Sequence, residues 1–143
     1  MDRALQTTLL DLTKWLRREG ISFAVIGGIA VIARGEARFT ADIDIVVELE
    51  LDAALQLVER LSSSPFRPLF PDVQEIVQKA FLLPISHVTT NVRVDVAVGL
   101  SGFEQQAIKR STEVSLGGGL VPVVTAEDLI LWDKALNSYK LLS

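Results

Sequence analysis

The chain has 143 residues, 49% of them apolar, and a mean hydropathy of +0.36, enough for one globular domain, residues 1–143, with a real core. A formal net charge of −4 and a pI near 5.0 leave no basic field to attract nucleic acid, so RNA and DNA go unsupported as substrates. The absence of cysteine excludes disulfides, thiolate-bound metals and a cysteine nucleophile, and it fits a cytoplasmic protein; neither a signal-peptide core nor a membrane-length apolar run occurs.

Leu5, Leu9, Leu12 and Leu16 recur at helical spacing, with Lys14, Arg17, Arg18 and Glu19 largely off the stripe, and predict an amphipathic first helix that ends at Gly20. Ser22 to Ile26 reads as a buried strand running into Gly27-Gly28, and Ile29 to Arg34 as a helix. A double glycine between strand and helix lets backbone N–H groups approach an anion closely, although it is equally a tight strand-to-helix turn. Neither a Gly-x-Gly-x-x-Gly fingerprint nor a Walker lysine is present.

Thirteen residues separate Gly28 from Asp42-Ile43-Asp44, within a run where Ile43, Ile45 and Val47 alternate with the acids. That period of two predicts a strand with both aspartates on one side, their α-carbons roughly 6.6 Å apart. A second alternating run, Val92 to Val98, carries Arg93, Asp95 and Ala97 between valines. If the two strands are neighbours, Asp95 joins Asp42 and Asp44. Three carboxylates within about 5 Å of one another would repel by roughly 3 kcal/mol per pair at an effective dielectric of about 20. Either a carboxyl takes a proton or a divalent cation occupies the site, and an all-oxygen ligand set favours Mg²⁺ or Mn²⁺ over zinc. A solvated sheet edge would carry Asp-x-Asp just as well; the preceding glycines favour the metal site.

Between and beyond these runs, 52–61 predicts a helix ending in the turn-rich Ser62 to Pro65, and 66–70 a short strand that Pro65, Pro68 and Pro71 confine to an edge. Residues 73–80 are open between helix and loop, and 81–85 reads as a strand. His87, the single histidine, falls in the turn that follows, a structural place more than a catalytic one. A short helix over 101–110 precedes two apolar runs around Gly117-Gly118-Gly119, which read as a hairpin turn because no helix follows them directly. Thr125 and Asp128 resemble a capping box opening a last helix with Leu129, Trp132, Leu136 and Tyr139.

Ile26-Gly27-Gly28, Arg38-Phe39-Thr40, Asp42-Ile43-Asp44-Ile45 and Val94-Asp95-Val96 together resemble the DNA polymerase beta-like nucleotidyltransferase superfamily. Within it the likeness is to small AbiEii and minimal-nucleotidyltransferase (MNT) proteins with Arg-x-Thr-x-Asp-Ile-Asp. The resemblance implies an α/β (α+β) nucleotidyltransferase fold, a mixed β-sheet flanked by helices. It implies that Gly27 and Gly28 hold a nucleoside triphosphate, that Asp42 and Asp44 ligate two Mg²⁺ ions, and that Asp95 shares a metal and helps activate the attacking hydroxyl. Arg38 would pair with a phosphate oxygen or be an ordinary surface arginine. Thr40 would donate its hydroxyl there or cap the turn. Lys134 would face the nucleotide or solvent.

Two function classes follow. One is an enzyme moving a nucleoside monophosphate from an NTP to a hydroxyl of a protein, RNA or small molecule, in the resembling proteins often within a toxin-antitoxin or phage-defence pair with a small helical partner. The other is an inactive nucleotide- or partner-binding module of the same fold; the presence of all three carboxylates favours the enzyme. Resembling proteins commonly continue into a helical region that binds the acceptor, so with an end at Leu141-Leu142-Ser143 the acceptor side is expected to lie largely outside this sequence.

Overall fold

The computed structural model describes residues 1–36, 39–99 and 101–132. Its frame is a seven-stranded mixed sheet: β1 (Phe23–Ile26), β2 (Ile43–Val47), β3 (Phe66–Pro68), β4 (Leu82–His87), β5 (Arg93–Val98), β6 (Thr112–Leu116) and β7 (Gly119–Val123), in the order β3-β4-β5-β2-β1-β7-β6. The helices are α1 (Arg3–Arg18), α2 (Gly27–Ala33), α3 (Leu51–Glu59), α4 (Val73–Ala80), α5 (Gly102–Arg110) and α6, helical over 126–132. A 3₁₀ turn at Leu61–Ser63 follows α3. The expected mixed α/β architecture is therefore present. None of the helices among the described residues is long and apolar enough to cross a membrane.

The predicted leucine stripe of α1 is core. Leu9, Leu12 and Leu16 are fully buried, each stabilising the fold by about 1.5–3 kcal/mol relative to exposure. Asp2 caps the helix, its carboxylate accepting from the Leu5 N–H at 2.8 Å. Trp15 packs against Phe66 of β3 with the rings tilted by 34°, and Phe66 meets His87 edge-on, both with ring centroids 5.4 Å apart. Because His87 alternates with Leu83 and Ile85, which pair with Val96 and Val94, α1 covers the sheet face built from Ile43, Ile45, Val47 and the β5 valines. The opposite face carries Asp44 and Asp95. There α5 packs, with Gly99 wedged between Val46 and Glu104.

Pro68 lies on β3 at the sheet edge, as its missing N–H requires. Residues 73–80 settle as helix: Val73 and Val77, four apart, are buried on one side. Ser101 and Glu104 form a full capping box at α5. The 112–116 and 119–123 runs form the expected hairpin around Gly117 and Gly118. The capping at α6 departs from the expected box. The Asp128 N–H does donate to Thr125 Oγ1 at 3.2 Å, but the Asp128 carboxylate turns to Arg110 and accepts two bonds, at 2.9 and 3.0 Å. Leu136, Tyr139 and Lys134 lie outside the described residues.

The Arg110 bonds hold the Asp128 carboxyl below the ordinary carboxylate range, against the effect of burial. A lowered folded-state pKa gives stability that is present above the unfolded value and lost as pH falls through the folded one. Asp128→Asn is thus expected to lower the urea midpoint at neutral pH, with the gap from the parent protein closing as pH drops below about 4.

His87 is the last residue of β4 and is buried. The Thr89 and Thr90 N–H groups both donate to Nδ1 at 3.1 Å, which places the ring proton on Nε2, 2.8 Å from Asp11 Oδ2. The ring ties the β4–β5 turn to α1, reinforced by the 2.6 Å hydrogen bond between Thr8 and Thr90. His87→Leu removes from a buried position the acceptor of two part-buried N–H bonds and the partner of Asp11, and should cost about 2–4 kcal/mol in urea unfolding.

Candidate active site

Strand β2 runs antiparallel to β1 and parallel to β5, and the β2–β5 register sets Asp44 directly beside Asp95. Neighbouring strands lie about 4.8 Å apart, so the two part-buried carboxylates emerge from adjacent backbones on one face. Asp42 stands in the bend before β2, exposed, and not within the strand. Two residues earlier, the Thr40 hydroxyl donates to the Asp42 carbonyl at 3.1 Å, the turn-capping alternative of the sequence reading.

The double glycine lies inside the first turn of α2 and not ahead of it. Gly27 has φ +67°, and a Cβ there would strike the Asp44 carboxylate and come within 2.9 Å of the Asp44 Cβ. A Cβ on Gly28 would come within 2.8 Å of Thr40 Oγ1. Both glycines therefore make room for residues of the Asp42 segment, a role distinct from the anion cradle read in the sequence. Arg38 lies outside the described residues.

Asp95 has a partner that the sequence reading did not single out. The Arg93 Nε donates to both Asp95 oxygens, at 3.0 and 3.2 Å, and the guanidinium carbon sits 5.8 Å from the centre of the Phe70 ring. Arg93 and Asp95 are two apart on one strand, hence on one face, which was the available signal. Beyond Asp95 the same face opens into a groove of about 470 Å³ whose lining includes Phe81, Leu82, Ala97, Glu104 and Trp132. His87 lies on the opposite face.

Among the described residues no three acidic or histidine side chains converge tightly enough to hold a metal ion. Asp44 and Asp95 are brought together, Asp42 stands off in its bend, and Asp95 is engaged by Arg93. The donor chemistry nonetheless suits Mg²⁺, which is usually held by one or two carboxylates together with substrate phosphates and waters. Two register-matched aspartates with a third two residues upstream supply that much.

The chain superposes on several crystal structures. A Thermotoga maritima protein assigned to the nucleotidyltransferases matches 99% of this chain and 91% of its own, with a TM-score of 0.64 at 15% identity. The chain has a nucleotidyltransferase fold. ANT(2")-Ia, in complex with adenylyl-2"-tobramycin, matches over 95% of this chain and 77% of its own (TM-score 0.63, 14% identity). The lincosamide antibiotic adenylyltransferase LnuA, bound to lincomycin, matches over 92% and 85% (TM-score 0.58, 14% identity). No family model matches the chain, and no curated protein matches it by sequence. At such identities the nucleotidyltransferase fold is what is shared, and the chemistry has to be argued from the side chains.

Proposed function

We propose that this chain transfers a nucleoside monophosphate from an NTP to a hydroxyl of an acceptor, using Mg²⁺ or Mn²⁺ and releasing pyrophosphate. The observation that carries this reading is the register match of Asp44 with Asp95 beside a glycine that leaves space for the Asp44 carboxylate. A fold shared with adenylyltransferases supports it.

In this reading Asp44 and Asp95, with Asp42 from its bend, would ligate the metal together with the phosphate oxygens of the substrate. Bound Mg²⁺ would supply positive charge that offsets the charge developing on the attacking and leaving oxygens of an in-line displacement. The acceptor oxygen forms a bond to the α-phosphorus, the bond to pyrophosphate breaks, and Asp95 assists removal of the hydroxyl proton. Gly27 and Gly28 would hold the triphosphate, as the resemblance implies. Arg38, Thr40 and Lys134 belong to the same proposal as phosphate and nucleotide contacts.

For the acceptor, a net charge of −4 suits a cationic small molecule better than a polyanion. The two antibiotic-linked neighbours support that class. The likeness to AbiEii and MNT proteins keeps a protein or tRNA acceptor, with a small helical partner in a defence pair, as an outcome of the same test. NTPs labelled at the α-phosphate, with Mg²⁺, are incubated with hydroxylated aminoglycosides, tRNA and cell extract. Label in an acceptor together with stoichiometric pyrophosphate is the expected result. Nucleotide binding with no transfer to any fraction would establish the inactive-module reading instead.

A further inference from the structure

We propose that Arg93 is an internal counter-cation that competes with metal for Asp95, a positioning residue for the site; this rests on the metal-dependent reading above. Its guanidinium reaches Asp95 through Nε alone, splitting one N–H between both carboxylate oxygens at 3.0 and 3.2 Å. The Phe70 ring, 5.8 Å from the guanidinium carbon, steadies the cation over the site. The Asp95 side chain is 21% exposed and that of Arg93 39%, so the pair is only partly screened. Asp44 stands beside Asp95 in register, and Arg93 sets a positive charge against the Asp95 member of that pair.

A divalent ion entering at Asp95 meets that same positive charge. Arg93 therefore weakens metal binding in the nucleotide-free protein and makes loading depend on the negative charge that a triphosphate brings. A purely structural arginine would have the opposite signature, because its removal would misplace Asp95 and weaken the metal.

The test is Mn²⁺ titration of the full chain without nucleotide, followed by electron paramagnetic resonance. Arg93→Gln should tighten Mn²⁺ roughly three- to tenfold. Arg93→Lys, which keeps the charge, should stay within about twofold of the parent protein. Phe70→Ala should act in the same direction as Arg93→Gln but less, and it serves independently if Arg93→Gln does not fold. Unchanged or weaker Mn²⁺ binding in Arg93→Gln and Phe70→Ala, with Asp95→Asn weakening it, overturns the proposal and leaves the metal-dependent reading standing. Mn²⁺ affinity that is insensitive to both Asp44→Asn and Asp95→Asn overturns the two together.

Discussion

Asp44→Asn is expected to lower nucleotidyl transfer by about a thousandfold or more while leaving the fold in place. The substitution is nearly isosteric and the residue only part-buried, so unfolding free energy should change by less than about 1 kcal/mol. What it removes is an anionic oxygen beside Asp95 on the adjacent parallel strand. A carboxamide cannot offset a divalent charge in its place. A second readout does not depend on knowing the acceptor. In the parent protein, saturating Mg²⁺ and NTP should raise the unfolding midpoint, by linkage about 2.7 kcal/mol at a hundredfold excess over Kd. In Asp44→Asn the Mg²⁺-dependent part of that stabilisation should vanish. Transfer at near-parental rates by Asp44→Asn would sink the metal-dependent reading.

The local elements could be read because each depends on a short window. The α1 leucines and the alternating valines of β5 are repeats with periods of 3.6 and two that burial on one face enforces, and the edge strand is bounded by its prolines. Even α4, left open between helix and loop, had Val73 and Val77 at the right spacing. Its stop at Ala80 carries no glycine signal, because Phe81, in the left-handed region at φ 53°, stands where glycine or asparagine is usual. What the sequence could not supply was pairing across distance. Asp44 beside Asp95 is a matter of strand order and register, and the sequence reading carried it only as a condition. His87 on Asp11 and Asp128 on Arg110 are tertiary bonds, and the second overrides a capping pattern that is locally plausible. The double glycine was recognised as special for a reason that differs from the one the structure supplies. A close approach by Asp44 and Thr40 demands small residues there, whatever the backbone N–H groups also do for a nucleotide.

That distinction makes Gly27→Ala the most informative stability experiment. At φ +67° an alanine pays about 1–2 kcal/mol in backbone strain alone. Its Cβ also overlaps the Asp44 carboxylate, with Asp44 Cβ at 2.9 Å and Cγ at 3.0 Å, so either Asp44 or the first turn of α2 must move. The total cost is expected to be about 2–4 kcal/mol by urea unfolding, with transfer falling as far as in Asp44→Asn. Gly20 provides the control. Its φ of +70° is nearly the same, but a Cβ there meets nothing within 4 Å, so Gly20→Ala isolates the strain. If the excess cost at Gly27 comes from the Asp44 side chain, it should shrink in an Asp44→Ala background, which removes the carboxylate, and disappear in Asp44→Gly, which also removes the Cβ at 2.9 Å, so that Gly27→Ala there costs no more than Gly20→Ala. An excess that survives Asp44→Gly would mean that the α2 turn itself, and not its contact with β2, requires the glycine.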